Sequence, residues 1–394
     1  AKPLVDRWGV MGGRLFTAFL GFLSALCSAW LAARVVRISG GKSPWMAAIF
    51  AFMLVGINVY QCYFCAIVKT YALASLLLTL SFIAMTYLNG PLGFLCSFSG
   101  GIFAGLAAGT RLSAGLVIPV ILIWLFIRTF KKENIAGNSP YKKSTMPLLL
   151  FALGSVVSLV VIFMPFALRA PRALWFAMFE FHGGRDAGGG LARLAYKAGF
   201  ISRLAQDYFV FFSICALLFL RFVFRRGNAG EKRKEKNSFT VMMFWSVLAV
   251  TAVHFLTNFP YDDYQVIVYP LAGVLVAVIL ARWLTEIEAV SPGHHRFSAM
   301  GLWLVFLLCV ASSLSSPINQ EWFVAGRDRV WWPIRHSSPL NKLRETAEMI
   351  KELGGEDSVL LTQDPYLAVQ TGMKLPEGLE MGPFSYFPDW SRDK

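Results

Sequence analysis

Four cations carry the first chemical signal. Lys69 and Arg111 lie near the ends of long apolar runs, and Arg169 and Arg185 lie in the stretch between two of them. Lys69 and Arg111 occupy linkers too short to be free loops, and a charge at the edge of a bilayer is costly unless it snorkels or meets a partner. A guanidinium suits phosphate through its bidentate fork, and an ammonium acts as a point charge. The four are expected to converge on the phosphate of an anionic lipid headgroup, with snorkelling as the plainer alternative. Groups suited to sugar oxygens lie near them in sequence. Tyr71 follows Lys69, and His182 precedes Arg185. Asp262 and Asp263 stand between Tyr261 and Tyr264 at the edge of an apolar run. Paired carboxylates can hold sugar hydroxyls or a divalent ion; a solvated turn after Pro260 is the plainer reading. His182 serves equally as a headgroup contact. Asp186 is a secondary candidate for a catalytic acid.

Much of this chemistry lies in the stretch 165–203, which also carries Arg172, Arg193, Lys197 and Arg203. Its second half is amphipathic: Leu191, Leu194, Ile201 and Leu204 share one side of a helix, and Arg193 and Lys197 another. Such a helix between two spans belongs in the headgroup layer. Gly183, Gly184 and 188–190 flank Arg185 and Asp186. A glycine loop of this kind can cradle a phosphate, but more often it is simply flexible.

The elements that must position these groups are apolar. The chain has 394 residues, 56% hydrophobic and only 15% charged, with mean hydropathy +0.56. Runs near the roughly 20 residues that cross a bilayer recur along it. About ten spans are expected, at 15–36, 45–65, 71–87, 92–108, 113–126, 146–168, 208–223, 239–257, 266–283 and 299–314. The loops after the first, fifth and seventh are richest in Lys and Arg, and alternate crossings put all three on one side. That side is then cytoplasmic. Lys69, Arg111, the 165–203 stretch, Tyr261–Tyr264 and the C-terminal tail are expected to face outward. The tail turns polar, with helical spacing over 341–353, a strand expected at 358–362 and a second helix at 365–373. The fold class is an all-α polytopic membrane protein with a small outward α/β segment, divided at 1–317 and 318–394.

Several functions are excluded or disfavoured. The net charge of +14 is explained by lipid before nucleic acid. The six cysteines sit mostly in apolar runs and suggest no disulfide framework, and Cys62 and Cys65 are expected as small buried residues rather than metal ligands. No GxxxxGK[ST], HExxH or GxSxG motif occurs; Gly40-Gly41-Lys42-Ser43 lacks the first glycine of the phosphate loop. No cofactor and no resident metal is expected, although a divalent cation is compatible with the acids.

Four stretches resemble a known family. The run 101–119, GIFAGLAAGTRLSAGLVIP, is similar to the G-LAALTRPSALLLLP stretch of GT-C class membrane glycosyltransferases. DDYQVIVYP at 262–270 resembles the start of a later span in that class. The first span, GGRLFTAFLGFLSALCSAWLAARVV, resembles their second transmembrane helix, and the tail VLLTQDPYLAVQTGMKLPEGLE resembles their outward C-terminal segment. The protein mannosyltransferase and aminoarabinose transferase branch, glycosyltransferase family 39-like, is the most similar type. The resemblance implies transfer of a sugar from a polyprenyl-phosphate donor to an acceptor glycan, lipid or protein. The expected setting is the bacterial inner membrane, with the site on the periplasmic or exterior side. It also implies a catalytic acid in an outward loop upstream of Ala1, so that this chain is expected to be a fragment lacking its first helix. Asp6 lies too close to the span for that role. Some relatives carry an acid where Lys69-Thr70-Tyr71 stands, so a two-acid mechanism does not transfer. A lipid-linked saccharide flippase would line the middle of several spans with charge, and a non-catalytic membrane subunit needs no site. The cations at span ends favour a fixed interfacial site.

Overall fold

In lipid, every backbone polar group must be satisfied within the protein, so apolar runs of this length fold as helices. The computed structural model describes residues 2–130, 145–180, 189–225, 238–290, 296–314, 339–354 and 358–380. In order these form α1 (Lys2–Ile38), α2 (Pro44–Gly56), α3 (Val59–Ala66), α4 (Tyr71–Met85) and α5 (Gly93–Thr110). A 3-10 turn, Leu112–Leu116, leads into α6 (Val117–Phe130), and α7 (Met146–Arg169) and α8 (Pro171–Trp175) follow. Then come α9 (Gly190–Asp207), α10 (Phe209–Arg225) and α11 (Ser238–Leu256). A second 3-10 turn, Asp262–Ile267, precedes α12 (Tyr269–Val290) and α13 (Arg296–Leu314). The tail holds α14 (Pro339–Gly354) and α15 (Pro365–Thr371).

The protein is an all-α polytopic membrane protein. Each of the ten apolar runs is helical, but they are unequal. Among the described residues six helices are long and apolar enough to cross a membrane, or up to eight if the bent pairs α2–α3 (63°) and α9–α10 (92°) each make one span. The other two runs, Tyr71–Met85 and Ala299–Ser313, form shorter apolar helices. At about 1.5 Å per residue, α4 reaches only about 22 Å against a hydrocarbon core of about 30 Å.

The residues fall into two compact units. The larger comprises 17–164 and 187–316; the other takes in 1–16, 165–186 and 317–394, more chain than the tail alone. In the larger unit, α4 and α5 form an antiparallel hairpin, and α12 packs on α2. The crossing of α5 and α7 is built from small residues. A Cβ on Gly101 would lie 2.1 Å from the Phe151 carbonyl oxygen, and one on Gly154 would lie 2.3 Å from that of Phe98. Ser155 Oγ donates to the Gly101 carbonyl at 3.2 Å, and Ser158 Oγ donates to that of Ile102 at 3.1 Å. Close backbone approach of this kind replaces the hydrophobic drive that lipid cannot supply. The glycines of the 101–109 run therefore seat α5, and α5 ends at Arg111. On α3, Cys65 is buried as expected, whereas Cys62 is exposed.

In the other unit, α1 is kinked at Gly9, whose φ of 57° suits glycine alone among common residues. The freed Val10 N–H donates to Gln370 Oε1 at 3.4 Å. Asp364 caps α15, accepting from the Tyr366 N–H at 2.9 Å. The strand expected at 358–362 is a single parallel bridge between Val359 and Lys374.

Candidate functional site

Helix interruptions gather at one end of the larger unit. The chain is extended at Ile67, between α3 and α4, and again at Arg111, where α5 gives way to its 3-10 turn. The α9–α10 bend and the α11–α12 linker lie against them. Broken helices expose backbone and polar groups that a lipid-facing surface could not tolerate, so such breaks belong in protein or beside water.

Asp262 and Asp263 lie within this end, 3% and 6% exposed, in the 3-10 turn and not in a solvated one. Each takes one tyrosine hydroxyl and one cation. Tyr60 donates to Asp262 Oδ2, and Arg203 Nε donates to Asp262 Oδ1 at 2.7 Å. Tyr71 donates to Asp263 Oδ2 at 2.6 Å, and Lys69 Nζ stands 3.7 Å from the same oxygen. Burying a carboxylate is costly without such partners. The pairing is unequal, however. Both oxygens of Asp262 are engaged, while Asp263 Oδ1 is buried with no hydrogen-bond partner among the described residues.

Tyr71 is the hub. The Arg111 guanidinium carbon lies 4.1 Å from its ring centroid and 4.9 Å from that of Tyr264, and Lys69 Nζ lies 5.5 Å from the Tyr71 ring. Cations over aromatic faces are held without losing their charge to a counterion. Arg111 Nε donates to Thr70 Oγ1 at 3.2 Å. Its two terminal nitrogens carry no hydrogen bond, and Arg111 forms no ion pair, among the described residues. Lys69 and Arg203 are thus each paired with a carboxylate, whereas Arg111 is held by tyrosine rings.

Polar contacts fix the surrounding segments. Asn58 Oδ1 caps α3 at the Gln61 N–H (2.8 Å), while its Nδ2 donates to the Asp207 carbonyl at 2.8 Å. Gln61 Nε2 donates to the Val266 carbonyl at 3.0 Å and its Oε1 accepts from Tyr208 at 3.3 Å. Tyr208 stacks on Tyr269 at 4.0 Å. Lys197 of α9 donates to the Phe255 carbonyl and, at 2.6 Å, to that of Thr257, closing the C-terminus of α11.

The expected site residues divide three ways. Lys69, Tyr71, Arg111, Asp262 and Asp263 come together, with Tyr261 beside them, its ring 5.4 Å from that of Tyr264. Arg169 is exposed at the end of α7 and belongs to the other unit. His182, Arg185 and Asp186 lie outside the described residues. The pattern of the sequence did not single out Tyr60 or His254, both of which sit inside apolar helices. Arg203 was visible as a cation on the amphipathic helix, without any sign that it would meet Asp262.

No protein-family model matches the chain, and no curated protein matches it by sequence. Among solved structures, the fold is similar to that of the oligosaccharyltransferase of Archaeoglobus fulgidus, crystallised with a tethered acceptor peptide. The TM-score is 0.51 at 12% identity, over 95% of this chain and 53% of that one. The chain therefore spans about half the length of that protein, and at this identity the likeness is one of fold. Fold and site together define a class: a multi-pass integral membrane protein of oligosaccharyltransferase-like architecture, with a charged cluster where its helices break.

Proposed function

We propose that this chain forms the membrane core of a glycosyltransferase that moves a sugar from a polyprenyl-phosphate donor to an acceptor glycan, lipid or protein at the outer face of the membrane. The observation that carries the reading is Arg111: a half-buried guanidinium, clasped by two tyrosine rings, with its terminal nitrogens unspent beside two buried carboxylates. The oligosaccharyltransferase-like fold and the resemblance of 101–119 to the GT-C class support it.

The chemistry follows from the layout. A polyprenyl phosphate cannot leave the bilayer, so its sugar must be handled at the interface. As the sugar–phosphate bond breaks, negative charge grows on the phosphate oxygens, and the fixed cations Arg111 and Lys69 stabilise it. Asp263 holds Lys69 and Tyr71 in place. Asp262, saturated by Tyr60 and Arg203, holds the linker in place. On the GT-C resemblance, a carboxylate of an outward loop takes the acceptor's proton.

The test is transfer from a polyprenyl-phosphate sugar by the full-length protein in proteoliposomes. Arg111→Ala should lower the rate about 100-fold or more, the usual effect of deleting one charge-stabilising donor, with expression unchanged. Arg111→Lys should recover only part, because an ammonium lacks the planar fork. Wild-type rates in Arg111→Ala would remove the phosphate assignment.

A further inference from the structure

A buried relay lies behind Tyr264. His254, on the last turn of α11, is only 2% exposed. Its ring is 5.5 Å from that of Tyr264, whose ring also borders Arg111. The hydrogen bonds around it give each donor a direction, with the Gln265 amide oriented as its contacts assign it. Thr251 Oγ1 donates to Gln265 Oε1 at 3.0 Å, so the amide nitrogen of Gln265 is the end turned to His254. Gln265 Nε2 stands 3.1 Å from His254 Nδ1. An amide nitrogen can only donate, so Nδ1 accepts and the neutral ring carries its hydrogen on Nε2. That nitrogen lies 2.8 Å from Ser113 Oγ and donates to it.

The consequence falls on Ser113. Its oxygen is occupied as an acceptor, its own O–H cannot point at His254, and among the described residues that O–H meets no acceptor. Ser113 is half-buried, two residues beyond Arg111 on the 3-10 turn that follows α5. The Ala114 N–H donates to the Arg111 carbonyl at 2.9 Å, which ties the turn to the arginine. An unspent hydroxyl donor thus stands two residues from Arg111 on the same turn, and its partner His254 borders the Tyr264 ring that Arg111 also borders.

We propose that Ser113 is a third donor to the phosphate at Arg111, and that His254, through Nε2–H, is the positioning residue that keeps the serine proton turned away from the imidazole. This rests on the phosphate reading above. Thr251, Gln265 and His254 form a chain of donors ending at the ligand, so the site recognises a phosphate oxygen with a neutral hydroxyl as well as with charge.

Binding to the full-length protein in nanodiscs tests this, with a short-chain polyprenyl phosphate, the matching polyprenyl alcohol and inorganic phosphate as probes. Ser113→Ala should weaken the polyprenyl phosphate about tenfold, the loss of one hydrogen bond to a charged group, and leave the alcohol unchanged. Ser113→Thr, which keeps the hydroxyl, should restore affinity. His254→Gln, which keeps a donor near Nε2, should bind better than His254→Ala. In the Ser113→Ala background the His254 substitutions should have no further effect, whereas a merely structural histidine would add its own. A loss shared with inorganic phosphate and a loss confined to the lipid both support the contact, and they separate a free from a lipid-borne ligand. Wild-type affinity in Ser113→Ala overturns the proposal. If Arg111→Ala still loses affinity in that case, the phosphate reading stands alone; if Arg111→Ala also binds normally, both fall.

Discussion

The two ends of the larger unit use the same ingredients to different effect. At the end away from the site, cations also lie over aromatic rings. Arg34 sits 4.2 Å from the Tyr87 ring, Arg128 is 5.4 Å from that of Trp124, and Arg221 is 5.1 Å from that of Trp283. Arg128 donates to Asn89, and Arg221 pairs with Glu286 at 2.7 Å. Glu286 keeps part of its surface exposed. The buried carboxylates among the described residues, Asp207, Asp262 and Asp263, all belong to the other end. So do the breaks at Ile67, Arg111 and Tyr208. Cations stacked on rings are how this protein ends its helices at an interface. Carboxylates drawn inside, with irregular backbone around them, are what mark one end as different.

That contrast can be broken or sharpened by substitution. The largest effect should come from Arg111→Ala, about 100-fold or more on sugar transfer, while Arg128→Ala at the opposite end should leave transfer within about twofold; equal losses would erase the distinction. Next, Gly101→Leu should sharply reduce folded yield in fluorescence-detected size exclusion, because its side chain meets the Phe151 backbone and overpacking costs about 1–3 kcal/mol or more. Tyr60→Phe and Tyr71→Phe each remove a hydroxyl from a buried carboxylate. Each should cost about 1.5–3 kcal/mol in thermal or denaturant unfolding, with Tyr71→Phe also lowering transfer because the hydroxyl it removes holds Asp263, the partner of Lys69. The smallest effect should be that of Arg221→Ala, about 1 kcal/mol or less, since its partner is partly solvated.

How much was legible in the sequence depended on the range of the signal. Hydropathy is local and summed over many residues, so all ten apolar runs were placed on helices. Their membrane-crossing length was harder to see, since α4 stops at Met85 and Asn58 breaks the second run without changing its apolar character. Within the site, Lys69, Arg111, Asp262 and Asp263 announced themselves as charges at apolar borders. Tyr60 and His254 did not, because a tyrosine or histidine inside an apolar helix looks like any other core residue until its partner, more than a hundred positions away, is brought beside it. The two-against-one arrangement on Asp263 Oδ2 depends on side-chain placement and has no sequence signature.

The brevity of α4 has a mechanical corollary. Its ends are Tyr71 and Met85. A helix of about 22 Å cannot bring both to the surfaces of a bilayer whose apolar interior is about 30 Å deep. The membrane must pinch inward around it or leave one end sunken, at a modest cost for each ångström of mismatch. Thicker and thinner bilayers should therefore load α4 differently, making host lipid length a control on the protein in its own right.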